Sequence, residues 1–256
     1  MRRVSFNLIL ARWLALCLGI FGTQALAEYA PLDGVVLLGQ ETSNRYIVAG
    51  GAPFYIPPSQ WSVYSSAITV VTPQATINSY ERIPREGTLF RQYNLPNAIY
   101  VVVGKRFWLI PTTAELSYWN NFGFKPIFDL PNSAWNEPFL DYSYKVLVAE
   151  RSTSQVYLWI SGAKYPITNT SDLDYFGGAA SVRQVPLGSL AAFTHQPECG
   201  TRLRERSSST VYDMSYHLPD PNSPMYKSPS TLAEHGTVPD GSLNPFPSFV
   251  GGACIW

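Results

Sequence analysis

The chain reads as a mainly β protein built from four tandem β-sheet repeats with short helices between strands, and three observations carry that reading. Runs such as Ile99 to Val103 are apolar at every position, whereas a one-sided antiparallel strand would alternate. A frame of tyrosine, apolar run, glycine, aromatic and aliphatic returns at 45–57 ("RYIVAGGAPFYIP"), 99–111 ("IYVVVGKRFWLIP") and 156–167 ("VYLWISGAKYPI"). Its tyrosines, Tyr46, Tyr100 and Tyr157, recur at nearly constant spacing, as in tandem architectures. A sheet with no polar face must be shielded on both sides, so successive units must stack face to face. We expect a closed, four-bladed propeller-like ring, with an open β-repeat stack as the alternative. No evident capping repeat guards either end.

Residues 1–27 stand apart from this fold. Arg2 and Arg3 begin a basic segment, Leu8 to Phe21 are largely apolar, and Ala25-Leu26-Ala27 fits a small-x-small cleavage site. Arg12 interrupts the apolar stretch, which is short for a bilayer span. The expectation is a cleaved secretory signal and a mature chain running from Glu28 to Trp256. Losing Arg2, Arg3 and Arg12 tips a neutral sequence to a slight acidic excess. Such a balance argues against nucleic acid and against anionic membrane surfaces.

The repeats then follow in order, at about 33–86, 87–141 and 142–198, together 28–198. The first two open at Asp33-Gly34 and Glu86-Gly87, each leading into a strand ("VVLLGQ", "TLFRQ"), and the third opens at "YSYKVLVAE". In the hairpin the frame aligns Gly51, Gly104 and Gly162, then Phe54, Phe107 and Tyr165, then Ile56, Leu109 and Ile167. Downstream, "SQWSVYSS", "TAELSYWNNFG" and "SDLDYFGG" predict short helices, with Ser59, Thr113 and Ser171 as N-caps and Gly123 and Gly177 as stops. Extended pieces ending at proline ("ITVVTP", "PIFDLP", "SVRQVP") close each copy. A degenerate fourth repeat occupies 199–256. Gly200 matches Gly87, and Tyr212 follows Tyr157 at the same period. Proline- and serine-rich "SYHLPDPNSPMYKSPS" replaces the second half of its hairpin, and "TLAEHG" stands at the helix position. Arg202, Arg204 and Arg206 alternate at strand spacing and would share one solvated face.

Losing Cys17 with the signal leaves Cys199 and Cys254, which in an exported chain are expected to pair. A disulfide there would close the weakest copy and contribute up to about 4 kcal/mol in the chain-entropy model. Two thiols so far apart lack any metal-ligand spacing.

The hairpin and glycine pattern resembles a tandem repeat of secreted bacterial proteins, roughly "DGxLxRxxxxxxVYVVxGGxRxWIPxxxxF…G". The second copy, Gly87 to Gly123, matches best, and the resemblance covers about 33–215. It is a scaffold pattern and implies no catalytic residues. More distantly, "IYVVVGKRFW" and the fourfold count are similar to the hemopexin-type propeller, whose blades carry "YFFKGDKYWR". That resemblance implies protein or ligand recognition on the propeller surface, sometimes with an ion in the central channel. The "DAA" opening of its blades is absent here, so no ion ligands carry over. Its disulfide joins first and last blades, whereas Cys199 opens the last unit here.

Catalytic signatures are sparse. His195, His217 and His235 are scattered, and there is no HExxH, CxxC, GxSxG or glycine-rich phosphate loop. We expect neither cofactor nor metal. Aromatic residues beside Asn, Asp or Arg suit sugar rings, which offer an apolar face and a hydroxyl rim. Two such stretches fall in expected loops: "SYWNNFG", with Trp119, Asn120 and Asn121, and "NSAWNEPF", with Trp135, Asn136 and Glu137. Trp108 and Trp159 lie inside strands and read as core. Asn169-Thr170-Ser171 is a glycosylation sequon. The expected function is a secreted binding protein, extracellular or periplasmic, that recognises a cell-surface or extracellular carbohydrate or protein. It would contact no nucleic acid and insert into no membrane after signal cleavage. The alternative is an extracellular, glycosidase-like hydrolase with paired carboxylates, such as Asp172 with Asp174 or Asp129 with Glu137. A third reading is a structural or inhibitory secreted protein.

Overall fold

A computed structural model describes residues 31–135, 144–216, 224–249 and 254. The expected signal segment, 1–27, lies outside them. Among the described residues the β-branched and aromatic runs form sixteen strands in four sheets of four. The first sheet holds β1 (Val36–Gly39), β2 (Arg45–Ala49), β3 (Ala52–Ile56) and β4 (Thr69–Thr72). The second holds β5 (Leu89–Gln92), β6 (Ile99–Val103), β7 (Arg106–Leu109) and β8 (Ile127–Leu130). The third holds β9 (Lys145–Glu150), β10 (Val156–Ile160), β11 (Ala163–Ile167) and β12 (Arg183–Val185). The fourth holds β13 (Arg202–Glu205), β14 (Val211–Tyr216), β15 (Met225–Ser230) and β16 (Gly236–Val238). In each, three strands form an antiparallel meander and the fourth crosses back to lie parallel to the first, as in the order β3-β2-β1-β4. The crossover carries a 3₁₀ helix (Pro58–Tyr64) in the first unit, α2 (Thr113–Trp119) in the second and α3 (Thr170–Tyr175) in the third. The helix α1 (Gln74–Ser79) follows β4. The sheets are not closed into a barrel.

Register makes the units equivalent. Tyr46 lies opposite Leu37, Tyr100 opposite Phe90, Tyr157 opposite Val148 and Tyr212 opposite Leu203. Alternation then sends successive side chains to opposite faces. On β6, Val102 packs into an apolar layer with Ile47, Phe54 and Phe90, while Val101 and Val103 pack into another with Val148 and Trp159. A third layer joins Leu158, Ile160 and Tyr165 to Leu203, Met214 and Val238. A strand with no polar side is therefore one whose two faces each meet a neighbouring sheet.

The remaining faces of the first and fourth sheets differ. On the outer face of the first sheet, Leu37, Tyr46 and Val48 are buried under Ile77 of α1, and Gln74 donates to the Tyr46 hydroxyl at 3.3 Å. The far face of the fourth sheet is polar. Register puts Arg202 with Asp213 and Arg204 with Thr237 there, and the Arg204 guanidinium binds Glu234 and the Thr237 hydroxyl. Arg206 leaves this expected row and reaches back to the third unit.

Several local expectations need correction. In the first three units the turn between the second and third strands has two residues, both at positive φ: Gly50-Gly51 (60°, 82°), Gly104-Lys105 (55°, 58°) and Ser161-Gly162 (50°, 80°). That backbone suits the twist of the strands and accepts glycine at either position. The glycine of the second copy therefore sits one place earlier than the others. The residue matching Phe54 and Tyr165 is Trp108, opposite Val101, and not Phe107; Phe107 faces the other way. The caps are Thr112 and Asn169 in place of Thr113 and Ser171, because they precede the first helical residue and their side chains accept the N–H three residues on. Pro57 precedes the 3₁₀ helix, with Ser59 inside it. In the fourth unit the proline-rich stretch still supplies β15, and "TLAEHG" runs as bends into β16 with no helix. Cys199 and Cys254 form a disulfide.

Candidate functional site

The capped helices meet the following unit. Glu115 and Asp172 are the third residues of α2 and α3, and their N–H groups bond to Thr112 (3.2 Å) and Asn169 (2.8 Å). Both carboxylates are buried. Glu115 accepts from the Arg151 guanidinium, with Nε at 3.0 Å, and from the Leu187 N–H at 3.1 Å. Asp172 accepts from Arg206 Nη1 at 2.7 Å. One turn further along each helix, Tyr118 and Tyr175 place a ring against the same guanidinium, at 4.6 and 4.9 Å. The Arg151 hydrogen bond holds the Glu115 carboxyl below its ordinary value; burial opposes this and the Leu187 N–H reinforces it.

These contacts decide what Trp119 does. Its indole N–H donates to Glu115 at 3.3 Å, and the ring packs partly buried on the layer between second and third sheets. Asn120 caps the end of α2, its side-chain oxygen accepting the Gly123 N–H at 2.9 Å. Asn121 is exposed with φ 52°. Trp135 ends a 3₁₀ turn (Asn132–Trp135), while Asn136 and Glu137 lie outside the described residues. Of the expected carboxylate pairs, Asp129 forms an ion pair with Arg91 at 2.6 Å. Asp172 is buried against Arg206 whereas Asp174 is exposed, and Glu137 is again outside the described residues.

Sequence reasoning stopped one residue short of the most exposed aromatics. Asn121, Phe122 and Gly123 are consecutive residues at positive φ (52°, 54°, 96°), and they leave Phe122 80% and Phe124 83% exposed. Left-handed backbone costs a non-glycine residue about 1–2 kcal/mol. Hydrogen bonds from the Phe122 N–H to Ser117 (2.8 Å) and from the Lys125 N–H to Asn120 (2.9 Å) hold the turn. The available signal was the pair of phenylalanines flanking Gly123 in a polar segment. The same unit carries an open cleft of about 490 Å³ between the β5–β6 loop (Asn94 to Ala98) and the exit of β7 (Leu109 to Pro111). His195 packs at a tilt against Phe246 with ring centroids 5.2 Å apart, His235 Nδ1 accepts the Arg202 N–H at 3.0 Å, and His217 lies outside the described residues. Among the described residues no cluster of three His, Cys, Asp or Glu is placed to hold a metal ion, and no helix is long and apolar enough to cross a membrane. No protein-family model matches the chain, and no curated protein matches it.

Proposed function

We propose that the protein is a secreted binding protein for an extracellular or cell-surface polymer, with carbohydrate favoured over protein, and that its second unit makes the principal contact. The observation that carries this reading is the outward display of Phe122 and Phe124 on strained but hydrogen-bonded backbone. Strain that persists in a well-bonded turn is a pointer to function. Two aromatic faces carried on a hydrogen-bonded turn lose little backbone freedom on binding. The engaged state of Glu115, Asp129 and Asp172 makes the hydrolase the weaker reading.

For the scaffold we favour an open stack over a closed ring. In support, the buried layers run first to second, second to third and third to fourth sheet. Ile68 and Val70, at the free edge of the first sheet, remain 73% and 44% exposed, where a ring would bury them against the fourth. A polar outer face on the fourth sheet is what a terminal repeat needs.

Mature protein should be retained on isolated cell-wall polysaccharide and should read positive on a glycan array. Phe122→Ala with Phe124→Ala should reduce that retention at least about tenfold at unchanged melting temperature, a loss typical of two contact aromatics. Equal retention of the double variant would contradict the proposal.

A further inference from the structure

Repeat equivalence extends to one edge of the stack, where the first strand of each sheet ends. Tyr93, Arg151 and Arg206 occupy one position there: each follows that strand, and each N–H donates to the last residue of the parallel strand, namely Leu130, Val185 and Val238. In the two later junctions the arginine is sandwiched by the preceding helix, and Tyr118 or Tyr175 remains 50% or 48% exposed. In the first junction the acid is replaced by Gln60, which accepts the Asn132 N–H at 3.3 Å as Glu115 accepts that of Leu187. There Tyr93 stands in the arginine's place and is 48% exposed. Each junction between units thus offers one half-exposed tyrosine at this edge.

Resting on the binding reading above, we infer that Tyr93, Tyr118 and Tyr175, one at each junction though not at matching repeat positions, form a row of subsites for a neutral, linear polysaccharide lying along the stack. Packed sheets are about 10 Å apart, so the row repeats at a spacing of the same order as an extended β-1,4-linked disaccharide. Neutrality follows from the guanidinia: Arg151 and Arg206 are already paired with Glu115 and Asp172 and leave no uncompensated cation for an acidic sugar. Directly after Arg151 and Arg206 come hydroxyl-rich loops, Ser152 to Ser154 and Ser207 to Ser209, which suit a sugar's rim better than a protein's apolar patch. The cleft of the second unit, whose lining begins at Asn94 beside Tyr93, would receive one end of the chain.

The test is calorimetric titration of the mature protein with cello- and chito-oligosaccharides from two to eight units, alongside pull-down on the insoluble polymers. Affinity should climb with length and level off once a chain spans three junctions, with at least about a tenfold gain from the disaccharide to the hexasaccharide, as expected when linked weak sites act together. Tyr118→Ala or Tyr175→Ala should weaken hexasaccharide binding several-fold and abolish part of the length dependence. Tyr→Phe at either position should retain binding, because the ring makes the contact. Affinity independent of length, or a folded triple alanine variant that binds as the parent does, would overturn the row. If binding instead depends on Phe122 and Phe124 alone, the row falls and the binding reading stands. A parent protein that binds none of these sugars, the array or the wall material overturns both.

Discussion

Trp119 carries the composition expected of a sugar-stacking residue and the surroundings of a core one. Its indole is hydrogen-bonded to the same carboxylate that holds Arg151, and its ring lies on an apolar layer. Trp119→Ala should therefore lower unfolding free energy in urea by about 2–4 kcal/mol, as for other large-to-small changes at packed positions. The double Phe122/Phe124 variant should leave that midpoint unchanged. Glu115 gives a pH signature. Its folded value lies below its ordinary 4.5, so its stabilising effect is complete above that value and is lost as pH falls through the lowered one. The melting temperature of the parent should drop on acidification across this window. Glu115→Gln, less stable at neutral pH, should show a flatter acid limb; an equally steep limb would remove the carboxylate from the account. Residues of this kind were only half legible in the sequence. Cap chemistry at "TTAE" and "NTSD" was visible to within a position or two, but the partners Arg151 and Arg206 belong to the following unit, beyond any local pattern.

The β-hairpin was the clearest signal in the chain, and also the place where a one-residue slip arose. Glycine can serve either position of a turn that needs positive φ twice, so aligning glycines misplaced the second copy and sent Phe107 to the wrong face. Aligning tyrosines gives the observed register. Gly104 itself is tightly held: a Cβ there would lie 2.7 Å from Val146 Cγ2, on backbone at φ 55°. Gly104→Ala should destabilise by about 1–3 kcal/mol, measured by thermal or urea unfolding, because strain and crowding add. The same substitution at Gly34, which also has positive φ but nothing within 4 Å, should cost less. At α3, Asn169 uses both side-chain atoms on Asp172, through its own N–H₂ at 2.7 Å and the Asp172 N–H at 2.8 Å. Asn169→Ala should lower stability by about 1 kcal/mol, and a glycan at this sequon would replace one of the Nδ2 hydrogens beside Asp172.

At the scale of the molecule, the repeat was legible because unshielded faces must be covered, and the sheet count followed from the tyrosine spacing. Chain closure was not legible, since the hairpin frame is common to rings and stacks. Our preference for a stack rests on details a frame omits: a polar fourth face around Arg204 and Thr237, and exposed Ile68 and Val70 at the first sheet's edge. The disulfide between Cys199 and Cys254 closes a loop around the fourth unit. Its reduction should lower the melting temperature, with a loss of up to about 4 kcal/mol, and the fourth unit should become the first to be cleaved in limited proteolysis. The most direct measurement of the stacking order is a spin-label distance between Tyr55→Cys on the outer face of the first sheet and Ser228→Cys on the far face of the fourth. An open stack places about three sheet spacings, about 30 Å, between them, whereas a closed ring would bring them to one, about 10 Å, and a distance of that shorter kind would contradict the account.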